Sequence, residues 1–278
     1  MTWIRRHGGW FGAAILAAGV AAGIGSPHLF LSRADGTGKG RDGASNAPAG
    51  KPGIDRAGHG ETETAAFAMG CFWGPDSRFG SVPGVLRTRV GYSGNTPWNP
   101  SYGGRGDHIE SVEVEFDPAV VSYESLLDVF WAGHDPGAIP WKRQYLSAIF
   151  PRTEAQAKAA ARSKEREAAG RKGRIFTEIL AGYRFHPAEA HHQKFALRGK
   201  SRLLREYQAV YPDYRDFMAS TAVTRANGYA GGHGSCEALR KEIGGFGLSP
   251  AGRRLLDDIV CSGGKRAPAA RGESCPTG

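Results

Sequence analysis

Cysteine is scarce in this chain. Four occur in 278 residues, at positions 71, 236, 261 and 275, and no two stand in a C-x-x-C spacing. That argues against a zinc ribbon and against a thioredoxin-type exchange motif. His191 and His192 are adjacent, so on a helix they point in different directions, which argues against both ligating one metal. A Cys/His site drawing on His191, His192 or His233 stays open, and no metal is expected. No internal repeat is visible. Acidic residues are outnumbered, with 27 Asp and Glu against 36 Lys and Arg and a formal charge of +9. A nucleic-acid site would gather that excess into a patch. Here the positives are scattered, and many lie on one probable helix, "KAAARSKEREAAGRKGR", where a solvated face explains them.

The apolar run "WFGAAILAAGVAAGIG" is about 16 residues, short of the roughly 20 that span a bilayer comfortably. It follows the basic start "MTWIRRHGG" and ends at Ser26-Pro27. A basic start before a short apolar core reads as a secretory signal or an uncleaved membrane anchor over residues 1–31. Residues 32–63 are rich in glycine, proline and charge and poor in apolar side chains, so they read as a flexible, disordered tether. The main folded domain is expected over 64–220. A glycine-rich loop and short helices follow over 221–278. The expected location is outside the cytoplasm: periplasmic, or anchored and facing the periplasm.

Within the folded part, "AAFAMG", "VLRTRVGYSG", "HIESVEVEFDP", "YLSAIF" and "IFTEIL" read as strands from their apolar alternation and flanking turn residues. Helices are predicted over 74–80, 122–134, 154–174 and 187–198. Ser122 suits the second of these as N-cap, and Leu126, Leu127, Phe130 and Trp131 form its apolar stripe. Strands separated by helices predict an α/β chain, in detail an α+β two-layer sandwich with a ferredoxin-like mixed sheet and flanking helices.

Against this background Cys71 stands out. It lies in "AFAMGCFWGPDSRFGS", after a strand and before a helix. A thiol at a helix start meets free N–H groups and the positive dipole end, both of which favour the nucleophilic thiolate. Phe72 and Trp73 offer an aromatic wall to a small apolar group. A buried structural cysteine among core aromatics is the plainer reading of this stretch alone. Tyr102, His108 and Glu110 surround a polar loop entering a strand, and Tyr145 opens another strand.

Taken in order, "GCFWG", "GYSGNTPWNPSY", "HIESVEVEFDP", "SYESLLDVFWAGHDP", "QYLSAIF" and "FHPAEAHHQKF" resemble the class A peptide methionine sulfoxide reductases. The resemblance runs from about Ala66 to Phe195, and "NGYAGGHG" extends it toward Gly234. It implies that Cys71 attacks the sulfur of an S-configured methionine sulfoxide, free or in proteins. Glu110, Tyr102 and Tyr145 would bond or protonate the oxygen, and Phe72 and Trp73 would hold the ε-methyl group. It implies a Cys71 sulfenic acid, a disulfide to a second cysteine, and recycling by thioredoxin or a similar dithiol, with no bound cofactor. The partners implied are oxidised proteins and that reductant; the chain is expected to be a monomer that repairs oxidative damage.

Four features depart from the family pattern. Asp76 replaces a longer acid. No acid stands between Asp135 and Tyr145. The loops before Glu110 and before Tyr145 are short. Ala230 occupies the place of the usual second cysteine in "GYAGG". Cys236 is the favoured resolving cysteine, with Cys261 and Cys275 the other candidates; Cys261 and Cys275 could instead form a structural bridge. The alternatives are a sulfoxide-binding module without turnover, and a thiol peroxidase or disulfide exchanger.

Overall fold

The computed structural model describes residues 50–58, 60–95 and 107–262. The expected leader, most of the expected tether, Tyr102 and Cys275 lie outside them. Six strands form one mixed sheet: β1 (Glu63–Met69), β2 (Val85–Gly94), β3 (Ile109–Phe116), β4 (Ser147–Ile149), β5 (Glu178–Ile179) and β6 (Arg184–Pro187). Their order is β5-β4-β1-β3-β2-β6. β4 and β5 are parallel and every other neighbouring pair is antiparallel. The chain is thus α/β, as its alternation of strands and helices predicts.

One sheet face carries Phe67, Val112, Val114 and Phe116 against α1 (Trp73–Gly80) and α2 (Tyr123–Trp131). Phe67 stacks on Phe79 at 4.8 Å and on Phe130 at 5.4 Å. Each such buried aromatic contributes ~2 kcal/mol through apolar area removed from water. Ser122 caps α2 by accepting from the Ser125 N–H, as its sequence position predicts. The polar helix α3 (Glu154–Ala169) lies outside α2, and the Trp131 indole N–H bonds the Ser163 hydroxyl across them at 3.0 Å. α3 ends at the Gly170 C-cap, five residues before the strand-like "IFTEIL", so its basic tail is loop rather than helix. The opposite face of β1 carries Ala66 and Ala68, packed with Ile109, Leu146, Ala148 and Phe150.

A second core is built from helices: α4 (Phe195–Arg198), α5 (Ser201–Val210), α6 (Tyr214–Ala219), α7 (Thr221–Ala230), α8 (Cys236–Glu242) and α9 (Pro250–Cys261). Leu203, Tyr207, Val223, Tyr229, Phe246 and Leu256 fill it. Three sequence expectations are corrected here. The stretch read as a glycine-rich loop from Asn227 to Cys236 starts inside a helix and is loop only over 231–235, because α7 is buried almost throughout and its glycine is a packing device. A Cβ on Gly228 would meet the Ser81 nitrogen at 2.4 Å, so α7 can press onto the end of α1 only at glycine. The single helix expected over 187–198 is instead β6, a 3-10 turn (Ala190–His192) and the short α4. The Gln193 side chain breaks it by bonding both backbone groups of Val90, and Lys194 then adopts a left-handed φ of 53°. Finally, the tether expected to run to residue 63 docks earlier. Asp55 accepts from Tyr211 and Ser220 hydroxyls, each at 2.6 Å, and from the Ala222 N–H at 2.9 Å. Ser220, where the catalytic domain was expected to end, is the N-cap of α7, which packs on α1.

Cys236 and Cys261 are joined in a disulfide that ties α8 to α9, with Cα atoms 5.0 Å apart. The bridge suggested between Cys261 and Cys275 is therefore replaced by a different pair. Closing a loop of that separation, 25 residues, restricts the unfolded chain by on the order of 3 kcal/mol. Among the described residues no helix is long and apolar enough to cross a membrane.

At the junction of the two cores sits a buried ion pair. Lys194 Nζ lies 3.0 Å from Asp76 Oδ1, and both side chains are wholly shielded from solvent. Asp76 also accepts from the Thr88 hydroxyl, the Lys194 N–H and the Asn227 amide. Burial pushes the Lys194 ammonium below its ordinary value, and the charge of Asp76 works against that push. Asp76→Ala leaves the lysine without its counter-charge, so we expect a loss of about 3–5 kcal/mol, read from the urea unfolding midpoint.

Burial also lowers His134 to about 4, against the opposing bond to the Phe130 carbonyl, and lowers His233 to about 4. An unfolded imidazole takes its proton near 6.5, so between about pH 6.5 and 4 the unfolded state binds more protons than the folded one. Stability present above that window is lost as the pH falls through it. Urea midpoints measured from pH 7 to 4 are expected to decline, and to decline less in a His134→Gln variant.

Candidate active site

β1 ends at Met69, and Gly70 turns the chain at φ 84°, a conformation that favours glycine. Cys71 follows, and Phe72 is the N-cap of α1. The cysteine thus sits one residue before the helix cap, as its place between strand and helix predicts. It is half-buried, beside the fully buried Phe72 and the half-buried Trp73. Cys71, Trp73 and Tyr145 all pack on one small cluster made of Phe72, Val90, Tyr92 and Ala188.

Glu110 reaches the same place from β3. The register sets Tyr92 opposite Glu110, and the glutamate is wholly buried. Its Oε2 accepts from the Phe72 N–H at 3.2 Å, so it lies against the backbone immediately after Cys71. Its Oε1 accepts from the Gln144 amide. A 3-10 turn over Arg143–Tyr145 does this work. Neighbouring residues in such a turn diverge by about 120°. Gln144 therefore enters the interior toward Glu110, while Tyr145 stays half-buried in the cluster that holds Cys71.

Of the residues singled out from sequence, the fold brings together Cys71, Phe72, Trp73, Glu110 and Tyr145. Tyr102 lies outside the described residues. Cys236, the favoured resolving candidate, is paired with Cys261 rather than with Cys71. Cys71 is itself disulfide-bonded. His108, grouped with Glu110 by sequence, is buried beside His186, ring centroids 5.4 Å apart, and Asp107 lies 3.6 Å from its Nδ1.

Several site residues escaped the sequence reading. Gln144 stands directly before Tyr145, and only the turn geometry shows that it, too, points into the site. His192 places its ring 5.3 Å from Phe72 and 5.9 Å from Trp73, which makes it part of the aromatic wall. Glu189 accepts from the Tyr92 hydroxyl at 2.8 Å. Phe195 lies flat on Trp73, centroids 3.6 Å apart and 3° from parallel. The histidines raised as metal ligands are thus explained in part by packing. Among the described residues the one grouping of ligand-type atoms is Cys236, Asp257 and Cys261, whose two sulfurs are already bonded to each other.

With its disulfide opened, Cys71 would present a sulfur nucleophile beside a shielded carboxyl bonded to the N–H of the next residue, a phenol, and an apolar ring surface. Gln144→Ala removes a donor from a fully buried carboxyl. We expect it to cost about 1–3 kcal/mol in urea unfolding, since the group keeps its burial and loses a partner.

The family model described as peptide methionine sulfoxide reductase matches residues 63–222. A peptide methionine sulfoxide reductase of Drosophila melanogaster is 42% identical over 193 residues, covering 69% of this chain and 77% of that protein. Peptide methionine sulfoxide reductase A5 of Oryza sativa is 43% identical over 175 residues, covering 61% and 68%. The methionine sulfoxide reductase A structure from Corynebacterium diphtheriae shares 32% identity, covers 58% of this chain and 90% of that one, and superposes with a TM-score of 0.46. With a cysteine, a glutamate and an aromatic wall gathered as described and the matched segment spanning the whole sheet, the chain belongs to the peptide methionine sulfoxide reductase family, which makes it an oxidoreductase.

Proposed function

We propose that this chain reduces methionine S-sulfoxide, free or within oxidised proteins, with Cys71 as the attacking group. The observation that carries the reading is the contact of Glu110 with the Phe72 N–H, which holds a wholly buried carboxyl against the backbone immediately after Cys71. A sulfoxide sulfur resists attack until its oxygen is bonded or protonated. Glu110 as the neutral acid, with the phenols of Tyr145 and Tyr102, supplies those donors. Phe72 and Trp73 receive the methyl group, which selects the face of sulfur presented to the thiolate.

The thiolate attacks the sulfoxide sulfur and the proton from Glu110 goes to the oxygen. The hydroxyl of the resulting S–S-bonded adduct then passes to the Cys71 sulfur as the S–O bond and the new S–S bond break, so that methionine leaves and Cys71 becomes a sulfenic acid carrying that oxygen. A second thiol then displaces water from the sulfenic sulfur and closes a disulfide. Cys236 and Cys261 are taken up by each other, which leaves Cys275, the fourth cysteine of the sequence, as the resolving thiol. Loop closure costs rise slowly with length, so its distance along the chain does not disfavour it. A thioredoxin-like dithiol reopens the disulfide by exchange. The basic and apolar N-terminus, together with a second disulfide, supports an exported protein whose compartment is oxidising.

In this reading Cys71→Ser abolishes loss of a methyl S-sulfoxide with dithiothreitol as donor, and Glu110→Gln lowers kcat by roughly 10²–10⁴ with the fold intact. Cys275→Ser forms one equivalent of methionine per enzyme and then stalls with a thioredoxin-type donor. Sustained turnover by Cys71→Ser would refute the assignment, and sustained turnover by Cys275→Ser would move the resolving role elsewhere.

A further inference from the structure

The turn that carries Gln144 and Tyr145 is preceded by a loop, residues 135–142, most of whose side chains are exposed. Its base is fastened. Arg171 bonds Asp135 at 2.7 Å, Asp135 accepts from the Gly137 N–H at 3.0 Å, and the Phe176 N–H bonds the Pro136 carbonyl at 2.8 Å. Beyond this base Ile139 is 73% exposed and Trp141 57% exposed. Trp141 nonetheless has a defined seat. Its ring lies 5.3 Å from that of Tyr145, and the Lys142 ammonium sits 4.4 Å from its centroid.

Among the described residues five large apolar side chains are exposed: Val120, Ile139, Trp141, Phe195 and Tyr214. Solitary exposed apolar residues require no explanation. Two of these five, Phe195 and Trp141, are not solitary, since they adjoin the candidate site. Phe195 continues the ring surface of Trp73, and Trp141 continues that of Tyr145. Trp73 and Tyr145 both pack on the cluster that holds Cys71. Two aromatic arms therefore leave the nucleophile for the surface, one through Trp73 and Phe195, the other through Tyr145 and Trp141, with the exposed Ile139 two residues before Trp141 on the same loop. A free amino acid would fill only the inner pocket. An extended polypeptide carrying the oxidised methionine would cover both arms with the residues on either side of it.

We propose that Ile139 and Trp141 form a docking lip for an extended segment of an oxidised protein, selecting apolar residues next to the methionine sulfoxide. The occupant follows from the continuity of the lip with the nucleophile's own cluster. Rigid aromatic surface with two rotatable bonds per ring makes contact area at small entropic cost, which suits a surface that must accept many sequences. This inference rests on the proposed sulfoxide reduction by Cys71, and its test separates the two.

The measurement compares kcat/KM for N-acetyl-methionine S-sulfoxide with that for two pentapeptides, one flanking the oxidised residue with leucine and one with glycine. Wild type is expected to favour the leucine peptide over the acetylated amino acid by about tenfold, and the glycine peptide by far less. Ile139→Ser, which alters a side chain outside the inner pocket, and the double variant Ile139→Ser/Trp141→Ser are expected to shrink the leucine preference stepwise toward about twofold. A wild type without leucine preference overturns the docking lip. So does a variant in which the leucine peptide and the acetylated amino acid lose rate in equal proportion, since Trp141 would then act only by supporting Tyr145. Failure of wild type to reduce any of the three substrates refutes the reductase reading itself and the lip with it.

Discussion

The Asp76–Lys194 pair holds the two cores of this protein in one arrangement. Asp76 belongs to the helix that begins just after the nucleophile, Thr88 to the central sheet, Lys194 to the irregular segment after β6, and Asn227 to the buried helix α7. Four pieces of chain converge on one carboxylate. Bringing a lysine and an aspartate out of water is costly, and their attraction offsets that cost only when every remaining proton and lone pair has a partner. Here the pair and its partners come from four segments of chain, so the pair is satisfied in this packing and in few others. It is a device of specificity at least as much as of strength.

The irregular segment shows the local side of that constraint. Lys194 takes a left-handed backbone conformation, which is unfavourable for a residue with a Cβ. The distortion lets its main-chain N–H and its ammonium reach the same aspartate, and lets Gln193 bond the edge of β2. It also sets Phe195 flat on Trp73. The geometry around the thiol thus depends on a strained residue more than a hundred positions further along the chain.

Much of the sheet was legible from sequence because its strands alternate. Val85–Gly94 has the bounds that its alternation and turn residues indicate, and α2 announces itself through Ser122 and its apolar stripe. The place of Cys71 was legible because the pattern is local: an apolar strand runs into it and a helix follows. What was not legible is non-local. Nothing in "PAEAHHQKFALR" shows that Gln193 prefers the Val90 backbone to its own helix. The glycines near Gly228 look like loop residues until α1 is seen lying against them. Gln144 reads as a surface amide until the turn aims it at Glu110. The pairing of Cys236 with Cys261 is a matter of where α8 and α9 meet, which spacing alone cannot supply.

The clasp at Asp55 has a mechanical meaning. The chain enters the folded unit by bonding Tyr211, Ser220 and the start of α7, eight residues before β1 begins. Whatever the preceding segment is fastened to, a tug along it is borne by the rim of the helical core. The first strand, and the sulfur at its far end, are strain-relieved as a cable is by the clamp at its plug.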